Sequence, residues 1–160
     1  MTGPAMRKKP LWRFVFGAVL ILQALFEFSN IGTTLAIGAG TIDGEAVGAT
    51  AAQIRYYEDL EIVDHVVGAV YSLLLLITGF LVFLWSPRAR DFMIGRVGLH
   101  ALYFPTHLVT SDYLDALGTP GLVSLGIATV VLLIELFVVL QIHRRTPTED
   151  LGRSVVGEAN

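Results

Sequence analysis

The sequence predicts an all-α integral membrane protein, a bundle of four transmembrane helices with both termini in the cytoplasm. Three observations predict it. Of 160 residues, 54% are hydrophobic and only 16% are charged, against roughly a quarter charged in soluble domains. The apolar residues gather into four long runs, and the basic residues keep to one side of those runs. A soluble chain this short buries too small a share of its surface to hide so much apolar area. The bilayer hides it.

A span needs about 20 mostly apolar residues. The first covers about residues 11–36 and includes LWRFVFGAVLILQALF; the second covers 62–85 and ends in LLLLITGFLVFLW. The third, 92–111, is the weakest, broken by Pro105 and holding His100 and His107; the fourth covers 121–142. Inside hydrocarbon every backbone group must be paired within the segment, so the runs are helices.

Charge then sets orientation. Arg7, Lys8, Lys9 and Arg13 precede or open the first span, Arg88, Arg90 and Arg96 surround the turn between the second and third, and Arg144 and Arg145 follow the fourth. Of the 11 basic residues only Arg55 falls in a segment assigned outside, as the positive-inside rule requires. The outside segments are acidic, with Asp43, Glu45, Glu58, Asp59 and Glu61 in one and Asp112 and Asp115 in the other. Trp12 and Trp85 fall at the inner interface, and Tyr56, Tyr57 and Tyr113 near the outer one, where aromatic belts form. A cleaved signal peptide is the rival for the first run, which is too long for a signal core and carries Glu27.

The domain organisation follows: a basic N-terminus at 1–10, the transmembrane domain at 11–142, and a polar cytoplasmic tail at 143–160. The one long outside loop, about 37–61, starts Gly-rich and irregular. Its second half, TAAQIRYYEDLE, suits a short helix on the membrane surface. That loop is a solvated connector or a lid over an outward-facing cavity.

The chain has no cysteine, which excludes disulfides, thiolate metal sites and cysteine-ligated clusters. It has no basic patch of the kind nucleic acid requires.

Polar residues inside the spans carry the functional signal, because each costs a few kcal/mol unless it meets a partner or water. Gln23, Glu27, Asn30 and Thr34 share one stripe of the first helix, and His100 and His107 share one stripe of the third. His65 opens the second span and Glu135 stands alone in the fourth. By depth, Glu27, Asn30, His65 and His107 are expected to form an outer cluster above an inner one of Gln23, His100 and Glu135. His107 is the expected partner of Glu27. Gly68, Ser72 and Gly79 make a small-residue stripe suited to close helix packing, within the chain or in a homo-oligomer or larger membrane complex. Gly95, Gly98 and Gly126 are expected to pack in the same way.

Three functions fit. The first is binding or transport of a small or lipid-like ligand at a buried protonatable cavity, with the acidic outer face favouring cations. The second is an accessory subunit of a membrane complex. The third is a redox protein or enzyme, with haem b between His65 and a histidine of the third span, or a divalent metal on His65, His107 and Glu27. No spacing such as H-E-x-x-H supports the third, so catalysis is the least favoured.

Overall fold

Five helices follow one another in the computed structural model, which describes residues 11–144: α1 (Trp12–Gly38), α2 (Ala51–Asp59), α3 (Ile62–Phe83), α4 (Ala89–Thr110) and α5 (Tyr113–Arg144). Among the described residues there is no strand. Three stretches, α1, α3 and Tyr113–Ile142 of α5, are long and apolar enough to cross a membrane. The chain is accordingly a helical membrane protein. Arg7, Lys8, Lys9 and the polar tail from Arg145 lie outside the described residues.

Local chemistry explains where the helices start and break. At α2, Thr50 Oγ1 accepts from the backbone N–H of Gln53 at 3.2 Å, and Gln53 Oε1 accepts from that of Thr50 at 2.9 Å. This reciprocal cap lets nine residues hold a helix in the middle of the 37–61 loop. Near the start of α3 the Asp64 carboxylate accepts from the N–H of Glu61 at 2.8 Å. Within α5, Gly118 takes φ 55° and ψ −149°, a conformation glycine adopts without steric cost. It separates the first turn of α5 from the apolar run that follows Pro120.

α1 and α3 form the most extensive helix pair, followed by α3 with α4 and α4 with α5, while α2 lies across α1 and α5. The first contact is close because glycines face each other. A Cβ on Gly17 would stand 3.0 Å from the Gly79 carbonyl oxygen, and one on Gly79 would stand 2.8 Å from Ile21 Cγ1. Ser72 is buried and Gly68 faces Ile31 on α1. The small-residue stripe is thus occupied by α1 of the same chain. Gly95, Gly98 and Gly126 are different: nothing lies within 4 Å of a Cβ built on any of them. They face away from the bundle, so they pack against no helix of the same chain. Leu20 and Ala24 of α1, Leu75 and Val82 of α3, Met93 of α4 and Leu132 and Val139 of α5 fill the core.

Arg13 departs from its reading as a flanking charge. Its side chain is buried, with the guanidinium 3.8 Å from the Trp85 ring and 5.2 Å from that of Phe14. Trp85 itself has φ 61°, a left-handed conformation that costs an L-residue about 1–2 kcal/mol. Stacking under Arg13 helps hold it there and ties the start of α1 to the α3–α4 turn.

The glycine contact makes an ordered prediction. Gly79→Leu should lower stability by about 1–3 kcal/mol through overpacking, and Gly68→Leu should cost less, because it meets the movable end of Ile31. Thermal unfolding in detergent checks the order. Equal, negligible shifts would mean the α1–α3 contact is not close.

Candidate functional site

The bundle gathers its polar residues into two clusters, one between the helices and one at the end that carries α2. Arg96 organises the first. It stands two turns into α4, where the helix faces α1, α3 and α5, and it is 1% exposed. Its Nη2 donates to Glu27 Oε1 at 2.7 Å and its Nη1 to Glu135 Oε2 at 2.6 Å. Gln23 Nε2, one turn before Glu27, also donates to Glu27 Oε1, at 3.3 Å. The Tyr71 ring of α3 lies 4.1 Å from the Arg96 Cζ, a distance at which the ring face attracts a cation. One guanidinium therefore ties all four long helices together.

His100 sits one turn beyond Arg96, with Nε2 3.0 Å from Thr129 Oγ1 on α5. The Thr129 hydroxyl donates to the Leu125 carbonyl, so its oxygen is left to accept and Nε2 is the donor. That assigns the proton to Nε2 and leaves Nδ1 buried without a partner. Glu27 Oε2 and Arg96 Nε are also buried and unpartnered. Hydrogen-bonding capacity in this cluster is not exhausted.

The second cluster centres on His107. Tyr56 of α2 contacts His107 Nε2 at 2.7 Å. On the other side of the ring, Nδ1 is 3.4 Å from both Tyr103 Oη and Asp64 Oδ1. The Tyr103 hydroxyl donates to Asp64 Oδ1, and its ring stacks on His107 with centroids 5.2 Å apart. Burial, with the negative Asp64 and nearby Tyr113 adding to it, pushes the Tyr56 phenol up from its ordinary range. Tyr56 thus stays protonated and serves as donor to His107. These contacts fasten α2 over a cavity of about 470 Å³. Asp59, Glu61, Asp64 and Asp112 line it, together with Tyr56, Tyr103 and His107.

A void of about 30 Å³ lies beside Tyr71 and Tyr103, lined also by Val67, Gly68, Leu99 and Phe104. Tyr103 belongs to the α2-end cluster and Tyr71 to the Arg96 cluster. The walls of the gap are almost wholly apolar, so it separates the clusters and offers no polar path between them.

Several expectations change. Glu27 pairs with Arg96, not His107, because the guanidinium reaches toward α1 from a position read as part of the basic turn. Gln23 and Glu135 join Glu27 around it, while His100 stacks beside Tyr71 with centroids 5.9 Å apart. Asn30 is exposed and belongs to neither cluster, and His65, half-buried, has no side-chain hydrogen bond or ion pair among the described residues. Asn30 lies at the outer edge of the stripe that carries Glu27, while its neighbour Ile31 meets Gly68 on α3. Among the described residues no three His, Asp or Glu side chains converge to hold a metal ion, so His65, His107 and Glu27 make no common site. Both ring nitrogens of His107 are engaged, which leaves it no free electron pair for haem iron.

Comparisons with protein-family models, curated proteins and solved structures find no match. The chemistry of the site rests on its geometry.

Two outcomes follow. Arg96→Met leaves two buried carboxylates without their counter-charge, and unpaired buried charges cost about 3–5 kcal/mol. The loss in thermal stability should shrink toward acid pH, where carboxylates can take up protons; a pH-independent loss would contradict the ion pairing. Tyr56→Phe removes one hydrogen bond, worth about 0.5–1.5 kcal/mol, so amide exchange in α2 should quicken about two- to tenfold. Unchanged exchange in α2 would show that Tyr56 does not fasten it.

Proposed function

We propose that this chain is a four-span membrane protein that binds, and moves, a small organic cation admitted through the cavity beneath α2. The observation that carries this reading is the cavity itself, about 470 Å³ with four carboxylates and two tyrosines on its walls. Carboxylates spread along a wall suit a diffuse ammonium group better than a compact metal ion, and tyrosine faces add cation–π attraction. The polar cluster between the helices adds buried, paired ionisable groups of the kind that mark solute or ion pathways in membrane proteins.

The fourth crossing is α4. Its charges reduce its overall hydropathy, yet Arg96 and His100 are buried, and from Ile94 onward its exposed positions include Ile94, Gly98, Ala101, Leu102 and Val109. Thr106 is exposed too, but its hydroxyl is bonded to the Leu102 carbonyl. A helix with this outer face is compatible with lipid. Four crossings put α2 and the acidic cavity outside and the α3–α4 turn inside, in keeping with the distribution of basic residues. One observation favours an accessory subunit instead: the open glycines Gly95 and Gly98 on α4 would admit a helix of another chain.

Binding of tetramethylammonium and putrescine to the purified protein, followed by calorimetry, tests the reading. Both cations should bind saturably, more weakly as salt rises, and Asp64→Asn should weaken them about tenfold, the equivalent of ~1.4 kcal/mol. No cation binding, alongside stoichiometric co-purification of another membrane protein, would favour the accessory subunit. For topology, a tag inserted near Gly48 should be reached from outside and a reporter at Asn160 from the cytoplasm. An outside reporter at Asn160 contradicts four crossings.

A further inference from the structure

We propose that the Glu27–Arg96–Glu135 cluster binds one exchangeable proton, which makes H⁺ the coupling ion of the cation-binding protein described above. The inference rests on that reading only for what the proton is coupled to; the proton site stands on its own geometry.

The argument is one of charge. The groups facing the site are Gln23 and Glu27 from α1, Tyr71 from α3, Arg96 and His100 from α4, and Thr129 and Glu135 from α5. Gln23, Tyr71 and Thr129 are neutral. His100 is neutral as well, because Nε2 carries its proton toward Thr129 and a second proton on the buried Nδ1 would find no acceptor. That leaves two carboxyls and one guanidinium. With both carboxyls ionised the site carries −1, and neither has any other cation within ion-pair distance among the described residues. A single unbalanced charge within a membrane-spanning bundle is expensive, by about 2.5–3.5 kcal/mol on insertion scales. One proton shared by the pair brings the site to neutrality while Arg96 keeps both hydrogen bonds.

The two carboxyls differ in burial: the Glu27 side chain is 22% exposed and that of Glu135 6%. Glu27, whose buried Oε2 has no partner, is thus the member through which the proton is gained or lost. A metal cation fits poorly. It would sit against the guanidinium, and the free oxygen of Glu27 is the one unpartnered buried carboxylate atom offered to it. Loss of the proton leaves the bundle one charge more negative, which favours a cation in the acidic cavity under α2; this is how the two cations are coupled.

Infrared spectroscopy of the full-length protein in liposomes, recorded across the pH range in which it stays folded, reads the proton directly. Wild type should show a carboxylic C=O stretch that shifts in D₂O and fades as pH rises. Glu27→Gln and Glu135→Gln should each abolish it, because either change leaves one carboxylate matched to one guanidinium. Glu45→Gln, on the exposed loop before α2, should retain it. The inference is overturned by a wild-type spectrum with no such band, by a band surviving in either glutamine variant, or by a band abolished on adding sodium ions, which assigns the site to Na⁺. The wild-type measurement stands even if a variant fails to fold. No solute is needed, so failure here leaves cation binding untouched, and failure of cation binding leaves the proton site intact.

Discussion

One buried guanidinium constrains everything around it. Arg96 enters the bundle two turns from the α3–α4 turn, and an arginine does not give up its charge in a protein. It must therefore be met by carboxylates, and the only ones inside the long helices that reach it are Glu27 on α1 and Glu135 on α5. Meeting both fixes the rotation of three helices about their axes. Tyr71 on α3 closes the remaining side. Apolar packing alone would define this less sharply, since side chains gain little by leaving one hydrocarbon environment for another. The glycine contact between Gly17 and Gly79 then sets how closely α1 and α3 approach.

The second cluster works by different physics. At the α2 end the helices reach water, and the Tyr56–His107–Tyr103–Asp64 chain replaces ion pairing with hydrogen bonds and stacked rings. Such contacts are weaker than the buried triad and can open without unfolding the bundle, which is what a segment over a cavity requires. α2 is nine residues long, held by its own cap at one end and by Tyr56 at its middle. The molecule thus has an ion-paired cluster between the long helices and a hydrogen-bonded one under α2.

Much of the fold was legible in the sequence, and the reasons are periodic. Three of the four apolar runs coincide with helices apolar enough to cross a membrane, and the segment TAAQIRYYEDLE, read as a short helix, contains α2. The polar residues Gln23, Glu27, His100 and Glu135 were also legible as inward-facing. Their partner was not. Arg96 looked like one of three arginines around a turn, because the third span was started at Phe92, three residues inside the helix that begins at Ala89. Placing its start correctly moves Arg96 to about 10 Å along the helix at ~1.5 Å per residue, too deep for a surface charge. Arg13 was misread for another reason: position near a helix end says nothing about which face the side chain takes. Asn30 failed differently, since a shared stripe does not say which of its residues lie at the edge.

A coupling measurement across the triad tests the central claim most directly. Stability would be compared for Arg96→Met, for Glu27→Gln with Glu135→Gln, and for all three changes together. If Arg96 is the partner of both carboxyls, the triple variant carries no buried charge. It should then be more stable than Arg96→Met alone, and its cost should fall short of the sum of the separate costs by about 2–3 kcal/mol, near the top of what interacting residues show. If the costs of the separate changes simply add, the three groups do not interact and the bundle is organised by something else.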